Sequence, residues 1–311
     1  MKLKTYLKFL CIVVIACLVL MTGCRKFLEQ LKNASSKKVP EANSETLEST
    51  FQVTQITMHE SADFNPVLSP DGKQLLFVSQ KHGNDDIFVS GIFAKNPRQV
   101  TVSASAESNP VWTPDGKEIL FDSDRLGFTA VFRLDLKRPG IIRQIVARGA
   151  SDSAPGISPD GKQIAFGSGG TASLWLADAN NGTDLIQIGE GGLPKWSPDG
   201  KIIIFTSSKS GNADIWSIKP DGSELTQLTV DVAEDIAPCW SPDQKKIVFS
   251  SNRTGNFDLW VLNLENNEYN QLTDHPADDG GPEWSPDGKF IYFHSIRSGN
   301  LDLWRLTPPK D

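Results

Sequence analysis

The side chains best able to do chemistry in this 311-residue chain are carboxylates that recur at one spacing. Asp63, Glu107, Asp152, Asp235 and Asp279 each stand three residues before a proline, and Glu190 stands one step further out, before Pro194. Like charges converging on a low-dielectric rim focus the field, so such a set would form a negative funnel for a metal ion or a basic peptide. The same recurrence suits a structural role, with each carboxylate capping a loop or accepting backbone N–H groups. Other reactive groups are sparse. His59, His82, His275 and His294 are scattered, without H-E-x-x-H or paired cysteines, so no zinc site is expected. Asp231, Glu234 and Asp235 lack the spacing of an EF-hand loop. Ser168 has Phe166, not glycine, two residues before it, so G-x-S-x-G is not present, and neither is a P-loop nor a dinucleotide fingerprint. Cys239, between Pro238 and Trp240 with no flanking histidine, reads as a small buried hydrophobe rather than a nucleophile. No catalytic residue and no resident cofactor are expected. A divalent cation at the acidic set is the one candidate, and its ligands are unknown.

A repeat must position these carboxylates. Ser/Thr-Pro-Asp ends at Asp71, Asp115, Asp160, Asp199, Asp243 and Asp287, at intervals of 44, 45, 39, 44 and 44 residues. Such a period marks a repeat architecture. In the last unit Pro286 pre-sets φ for a turn, Asp287 suits the next position, and Gly288 accepts the positive φ that re-enters a strand. Pro282-Glu283-Trp284 before the turn is extended, and Phe290-Ile291-Tyr292-Phe293 after it is aromatic and β-branched. A second turn, Arg297-Ser298-Gly299-Asn300, leads to a third strand at Leu301-Asp302-Leu303-Trp304. Earlier units add a fourth, as at Leu225–Thr229 and Asn270–Thr273. Four short antiparallel strands per unit describe a propeller blade whose first strand lines the central channel, which puts the carboxylates near one channel mouth. All eight tryptophans obey the repeat: Trp112, Trp196, Trp240 and Trp284 two after the proline, and Trp175, Trp216, Trp260 and Trp304 in the third strand. A large flat side chain at a recurring place fills the wedge between blades.

The units PVWTPDGKEILFDSDRLG, PKWSPDGKIIIFTSSKSGNADIW, PCWSPDQKKIVFSSNRTGNFDLW and PEWSPDGKFIYFHSIRSGNLDLW resemble the WD-like repeats of TolB-type six-bladed β-propellers, a module also used by prolyl oligopeptidases. The resemblance runs over residues 51–307. It implies a non-enzymatic scaffold that binds another envelope protein. Two other functions fit the fold: a metal-dependent channel-mouth enzyme acting on carbohydrate, and a partner subunit for a separate prolyl-oligopeptidase-type peptidase. Blade three departs from the pattern, with Ile157 for tryptophan, Gly167-Ser168-Gly169-Gly170 at the second turn and Ser173 at the family's aspartate; blade two has Ala130 there. Drift explains this, and so does a dedicated partner surface.

Thr54-Gln55-Ile56-Thr57 matches the end of a fourth strand yet precedes the first inner strand, while the sixth unit stops after its third. The N-terminal strand is therefore expected to close the last blade of a six-bladed, all-β propeller over residues 51–311, removing an exposed edge. Upstream, Lys2, Lys4 and Lys8 precede an apolar run from Phe9 to Met21, too short to span a bilayer but suited to export. The run ends in Met21-Thr22-Gly23-Cys24, which resembles a bacterial lipoprotein box and implies a signal peptide over 1–23 and lipidation of Cys24. Arg25 in place of aspartate slightly favours an outer-membrane or periplasmic address. Residues 24–50, polar and aperiodic, read as a tether spanning roughly 25 to 30 Å. The chain carries 31 basic and 38 acidic residues, and loss of the three leading lysines deepens the imbalance. Nucleic acid is excluded as a partner because a phosphate backbone needs a basic stripe. The expected partners are an envelope protein or a basic peptide segment, with membrane attachment through the lipid and a monomeric domain.

Overall fold

Each Ser/Thr-Pro-Asp turn is held by one repeated set of side-chain bonds. In the computed structural model, which describes residues 52–169 and 173–308, Ser69 Oγ donates to Asp71 Oδ1 at 2.6 Å. Asp71 Oδ1 accepts from Lys73 N at 3.1 Å, and Ser69 Oγ accepts from Gln74 N at 2.9 Å. The Ser/Thr-to-Asp bond recurs in the other five units. Bonds from Ser197 and then Lys201 hold the Asp199 carboxyl down at about 2. The residue after the aspartate has positive φ in every unit; it is glycine in five and Gln244, at φ 64°, in the fifth blade.

These turns join strands into six four-stranded antiparallel sheets. The first strand, β1 (Val53–Gln55), stands apart from the blade order. Blade one is β2 (Asp63–Leu68), β3 (Gln74–Ser79), β4 (Asp86–Gly91) and β5 (Arg98–Gln99). Blade two is β6 (Glu107–Trp112), β7 (Glu118–Ser123), β8 (Ala130–Asp135) and β9 (Ile142–Val146). Blade three is β10 (Asp152–Ile157), β11 (Gln163–Ser168), β12 (Ser173–Asp178) and β13 (Ile186–Gly189). Blade four is β14 (Gly192–Trp196), β15 (Ile203–Ser207), β16 (Asp214–Ile218) and β17 (Thr226–Gln227). Blade five is β18 (Asp235–Trp240), β19 (Lys246–Ser251), β20 (Asp258–Asn263) and β21 (Glu268–Gln271). Blade six is β22 (Asp279–Trp284), β23 (Ile291–Ser295) and β24 (Asp302–Leu306), completed by β1. β1 runs antiparallel to β24, with Val53 opposite Leu306 and Gln55 opposite Trp304. The N-terminal strand thus closes the ring as expected. No helix occurs among the described residues. The expected signal peptide, Cys24 and the expected tether lie outside them.

The core repeats with the blades. Phe77, Phe121, Phe166, Phe205, Phe249 and Phe293, one from each second strand, are fully buried. Each faces an aromatic on the third strand: Phe88, Phe132, Trp175, Trp216, Trp260 or Trp304. The inner-strand tryptophans do wedge between blades, since Trp112 Nε1 donates to Val67 O and Trp196 Nε1 to Gly156 O, both at 3.1 Å and both into the preceding blade. A second repeated tie joins third strand to fourth. Thr101 Oγ1 donates to Asp86 Oδ1 and accepts from Ile87 N; Thr229 with Asp214, Thr273 with Asp258 and Thr57 with Asp302 do the same. In blades two and three Ala130 and Ser173 occupy the aspartate's place, and Ser173 Oγ instead donates to Ser168 O and accepts from Trp175 Nε1.

Three boundaries differ from expectation. The inner strand starts at the carboxylate itself, so Asp279 is the first residue of β22 rather than part of a loop. The fourth strand of blade four is shorter than the run Leu225–Thr229, since β17 covers only Thr226–Gln227. The residue before each inner-strand proline has positive φ: Asn65 at 51°, Asn109 at 47°, Ala154 at 51°, Leu193 at 54°, Ala237 at 53° and Gly281 at 58°. Pairing of every inner strand with its neighbour shifts register there, which marks a bulge. A residue before proline is ordinarily extended, so a period-two pattern does not reveal the bulge.

Two predictions follow from this architecture. Deleting residues 51–57 removes β1 and the Thr57 tie and leaves β24 as an open edge, so the truncated chain should aggregate or melt clearly lower. A soluble truncation with an unchanged melting midpoint would refute the closure's contribution. Gln244→Gly relieves a side chain at left-handed φ and should raise stability by about 0.5 kcal/mol, because relief of αL strain exceeds the added unfolded-state entropy. Denaturant midpoints of the two proteins decide it.

Candidate functional site

The recurring carboxylates sit at the head of the inner strands, and the structure buries five of them completely. Asp63, Glu107, Asp152, Asp235 and Asp279 are all 0% exposed. Asp235 accepts from Arg253 Nη2 at 3.0 Å through both oxygens. Glu107 takes Arg125 Nη2 at 2.9 Å and Ser123 Oγ at 3.0 Å, and Asp279 takes Arg297 Nη2 at 2.5 Å. His59 Nε2 lies 3.0 Å from Asp63 Oδ2, and Asp152 accepts from Arg148 N at 2.9 Å. Burial pushes Asp63 up to about 6 and moves Glu107 in the same direction. Glu190 alone is exposed. Gly191 holds the place three before Pro194, where a Cβ would lie 2.5 Å from the Phe205 ring and 2.6 Å from Thr206 O, so blade four has no room for a carboxylate there. Each buried carboxylate is engaged near its own strand. They are not brought together at an open rim.

The channel itself is narrow, a cavity of 90 Å³ walled by Pro66, Pro110, Pro155, Pro194, Pro238 and Pro282 from the bulged inner strands. Lys195 Nζ reaches Glu283 Oε2 at 3.0 Å, an ion pair between blades four and six. Cys239 is buried and burial drives its thiol far above the usual range, so it stays protonated. Burial lowers His294 to about 4, which keeps its ring neutral, and its Nδ1 accepts from Asn65 N at 3.4 Å. His59, His82 and His275 stand in other loops. Among the described residues, no group of three or more His, Cys, Asp or Glu side chains is arranged to hold a metal ion.

The arginines that engage the carboxylates also cover the third-strand aromatics. Arg125 Cζ lies 4.7 Å from the centre of Phe132, Arg253 Cζ 4.7 Å from Trp260 and Arg297 Cζ 5.2 Å from Trp304. In each case Nε donates to a second-strand serine, Ser123, Ser251 or Ser295, at 2.9 to 3.2 Å. Blades one and three reach the same end with other residues. His82 stacks on Phe88 at 5.9 Å, and Arg148 lies 3.6 Å over Trp175. In blade four, Trp216 is covered by no guanidinium or imidazole among the described residues. A pocket of 380 Å³ opens there instead, lined by Glu190, Ser207, Lys209 and Trp216 among others.

The model of the TolB beta propeller domain matches residues 36–190, 169–258 and 233–308. The chain belongs to the TolB β-propeller family. Among solved structures, a putative TolB from Agrobacterium tumefaciens is similar to this TolB-type propeller at 21% identity and TM-score 0.64, covering 83% of this chain and 97% of that one. TolB from Acinetobacter baumannii aligns at 21% identity and TM-score 0.61, over 80% of this chain and 64% of that one. Oligogalacturonate lyase from Vibrio parahaemolyticus aligns at 14% identity and TM-score 0.60, over 85% and 95%. At such identities these likenesses establish the fold. No curated protein sequence matches the chain.

The residues that sequence reading passed over in this TolB-family chain are the arginines. Their signal was present: Arg125, Arg253 and Arg297 each stand seven residues before the aromatic they cover, as Lys209 does before Trp216. The pairs make contrasting predictions for the carboxylates. Asp235→Asn leaves the partly buried Arg253 without its counter-charge and should cost about 3 kcal/mol. Asp63→Asn removes a carboxyl whose folded pKa of about 6 exceeds its unfolded value. The folded state therefore binds that proton more tightly between about pH 4 and 6, and ionised Asp63 weakens folding as pH rises through this window. The stability of Asp63→Asn relative to wild type should accordingly increase from pH 4 to pH 7. Melting midpoints across that range test this, and a pH-independent difference would count against it.

Proposed function

We propose that this chain is a lipid-anchored propeller of the bacterial cell envelope that acts as a non-enzymatic scaffold for a protein partner. The observation that carries the reading is the contrast between buried carboxylates and solvent-facing aliphatics on one face. Antiparallel order puts the second-to-third strand turns on the same face as the loops that lead into each inner strand. In three of those loops the residue after the tying threonine stands in water: Met58 at 76%, Val102 at 84% and Val230 at 79% exposure, with Val232 at 98% beside the last. Aliphatic side chains held outward at equivalent places on a rigid ring suit a protein surface better than solvent. Membership of the TolB family supports an envelope setting, and the lipoprotein-like box at Cys24 supports attachment to a membrane at the outer-membrane or periplasmic side.

Two measurements test the reading. Cys24→Ser should release the protein from the membrane fraction without changing its melting midpoint, and continued sedimentation with membranes would oppose lipid anchoring. In cross-linking from intact envelopes, Met58→Asp combined with Val230→Asp and Val232→Asp should lose the partner captured by wild type while folding normally. Retention of the same partner by the triple variant would remove this face from consideration.

A further inference from the structure

Five of the six blades cover their third-strand aromatic with a planar nitrogen group of their own, and blade four does not. The parts that receive such a group are nevertheless present in blade four. Ser207 occupies the register place of Ser123, Ser251 and Ser295, the acceptors for arginine Nε in blades two, five and six. Phe205 and Trp216 form the same facing aromatic pair as Phe249 and Trp260. Leu225 stands where blade five has Tyr269, whose ring lies 4.9 Å from Arg253 Cζ, so a smaller side chain leaves further room. Lys209 takes the arginine's position in the turn but is exposed, and it lines the pocket together with Trp216. The carboxylate missing at Gly191 is supplied from one residue away, because exposed Glu190 lines the same 380 Å³ pocket.

We propose that the blade-four pocket is a receptor for an arginine side chain of a partner protein, whose guanidinium stacks on Trp216, donates to Ser207 Oγ and pairs with Glu190. The chain builds this contact internally in three blades with its own arginines, so the pocket is complementary to a guanidinium by construction. A lysine fits less well, since an ammonium has no planar face to stack and no fork to divide between hydroxyl and carboxylate. This deepens the scaffold reading by naming the chemistry of one partner residue.

The test titrates the full-length chain with Nα-acetyl-arginine amide and, separately, Nα-acetyl-lysine amide, following the indole N–H resonance of Trp216, assigned with Trp216→Phe. The arginine probe should shift that resonance saturably, and the lysine probe should bind about tenfold more weakly or worse. Lys209→Arg restores an arginine seven residues before the aromatic and should fill the pocket from within, lowering probe affinity at least about tenfold while melting no lower than wild type. Glu190→Gln, an exposed substitution, should weaken the arginine probe about fivefold by removing the counter-charge. No saturable shift at Trp216, equal binding of the two probes, or unchanged affinity in both variants would each overturn the proposal. The probe carries no other part of a partner, so its failure leaves capture by the aliphatic face untouched. Loss of that capture with probe binding intact would separate the two in the other direction.

Discussion

Ring closure rests on one buried tie between the ends of the propeller. Thr57 Oγ1 donates to Asp302 Oδ1 at 3.0 Å and accepts from Leu303 N at 2.9 Å, across some 245 residues of chain. Around it Gln55 Nε2 and Ser298 Oγ reach the other oxygen of Asp302, and β1 pairs with β24. The same threonine-aspartate tie occurs in blades one, four and five, where it joins residues only about fifteen apart. A local device for pinning a fourth strand has thus become the long-range device that closes the ring. Without it every blade still has its turns and aromatic pair, but the sixth sheet has an open edge and the ring has no seam.

The carboxylate at the head of each inner strand belongs to a second device. In blades two, five and six it is the buried end of a chain of contacts from carboxylate to guanidinium to serine and then across an aromatic face. A charge taken out of water needs both a counter-charge and hydrogen bonds, and the turn arginine supplies both from within the same blade. Blade one uses imidazoles and keeps Asp63 with a raised pKa, the signature of a carboxyl whose burial is only partly compensated. Blade four has no carboxylate at that place, since Gly191 lets the inner strand run against Phe205 and Thr206. A pocket of 380 Å³ lies beside it, lined by Glu190 and Trp216 among others.

Near-sixfold symmetry also shapes the central channel. The bulge before each proline turns the six rings inward together, and what remains is a thin cavity crossed by the pair Lys195–Glu283. It is at the rims and flanks that the blades differ from one another. Loops carry that variation because they are free of the packing that holds the aromatic core to one pattern.

By itself the sequence determined the blade count, the turn chemistry, the aromatic positions and the closing strand. Each of these depends on residue types at a fixed local spacing, and six copies report the same spacing: Ser/Thr-Pro-Asp-Gly makes its bonds within five residues wherever it occurs. Tertiary structure alone decided the fate of the carboxylates. The positions of Asp63 through Asp279 were legible, but whether a carboxylate faces a channel or is buried under an arginine depends on the register shift at the proline bulge, and a one-residue shift exchanges one face of a strand for the other. The same holds for the blade-four pocket, whose lining brings together Glu190, Lys209, Trp216 and Leu225, distant in sequence and unremarked singly.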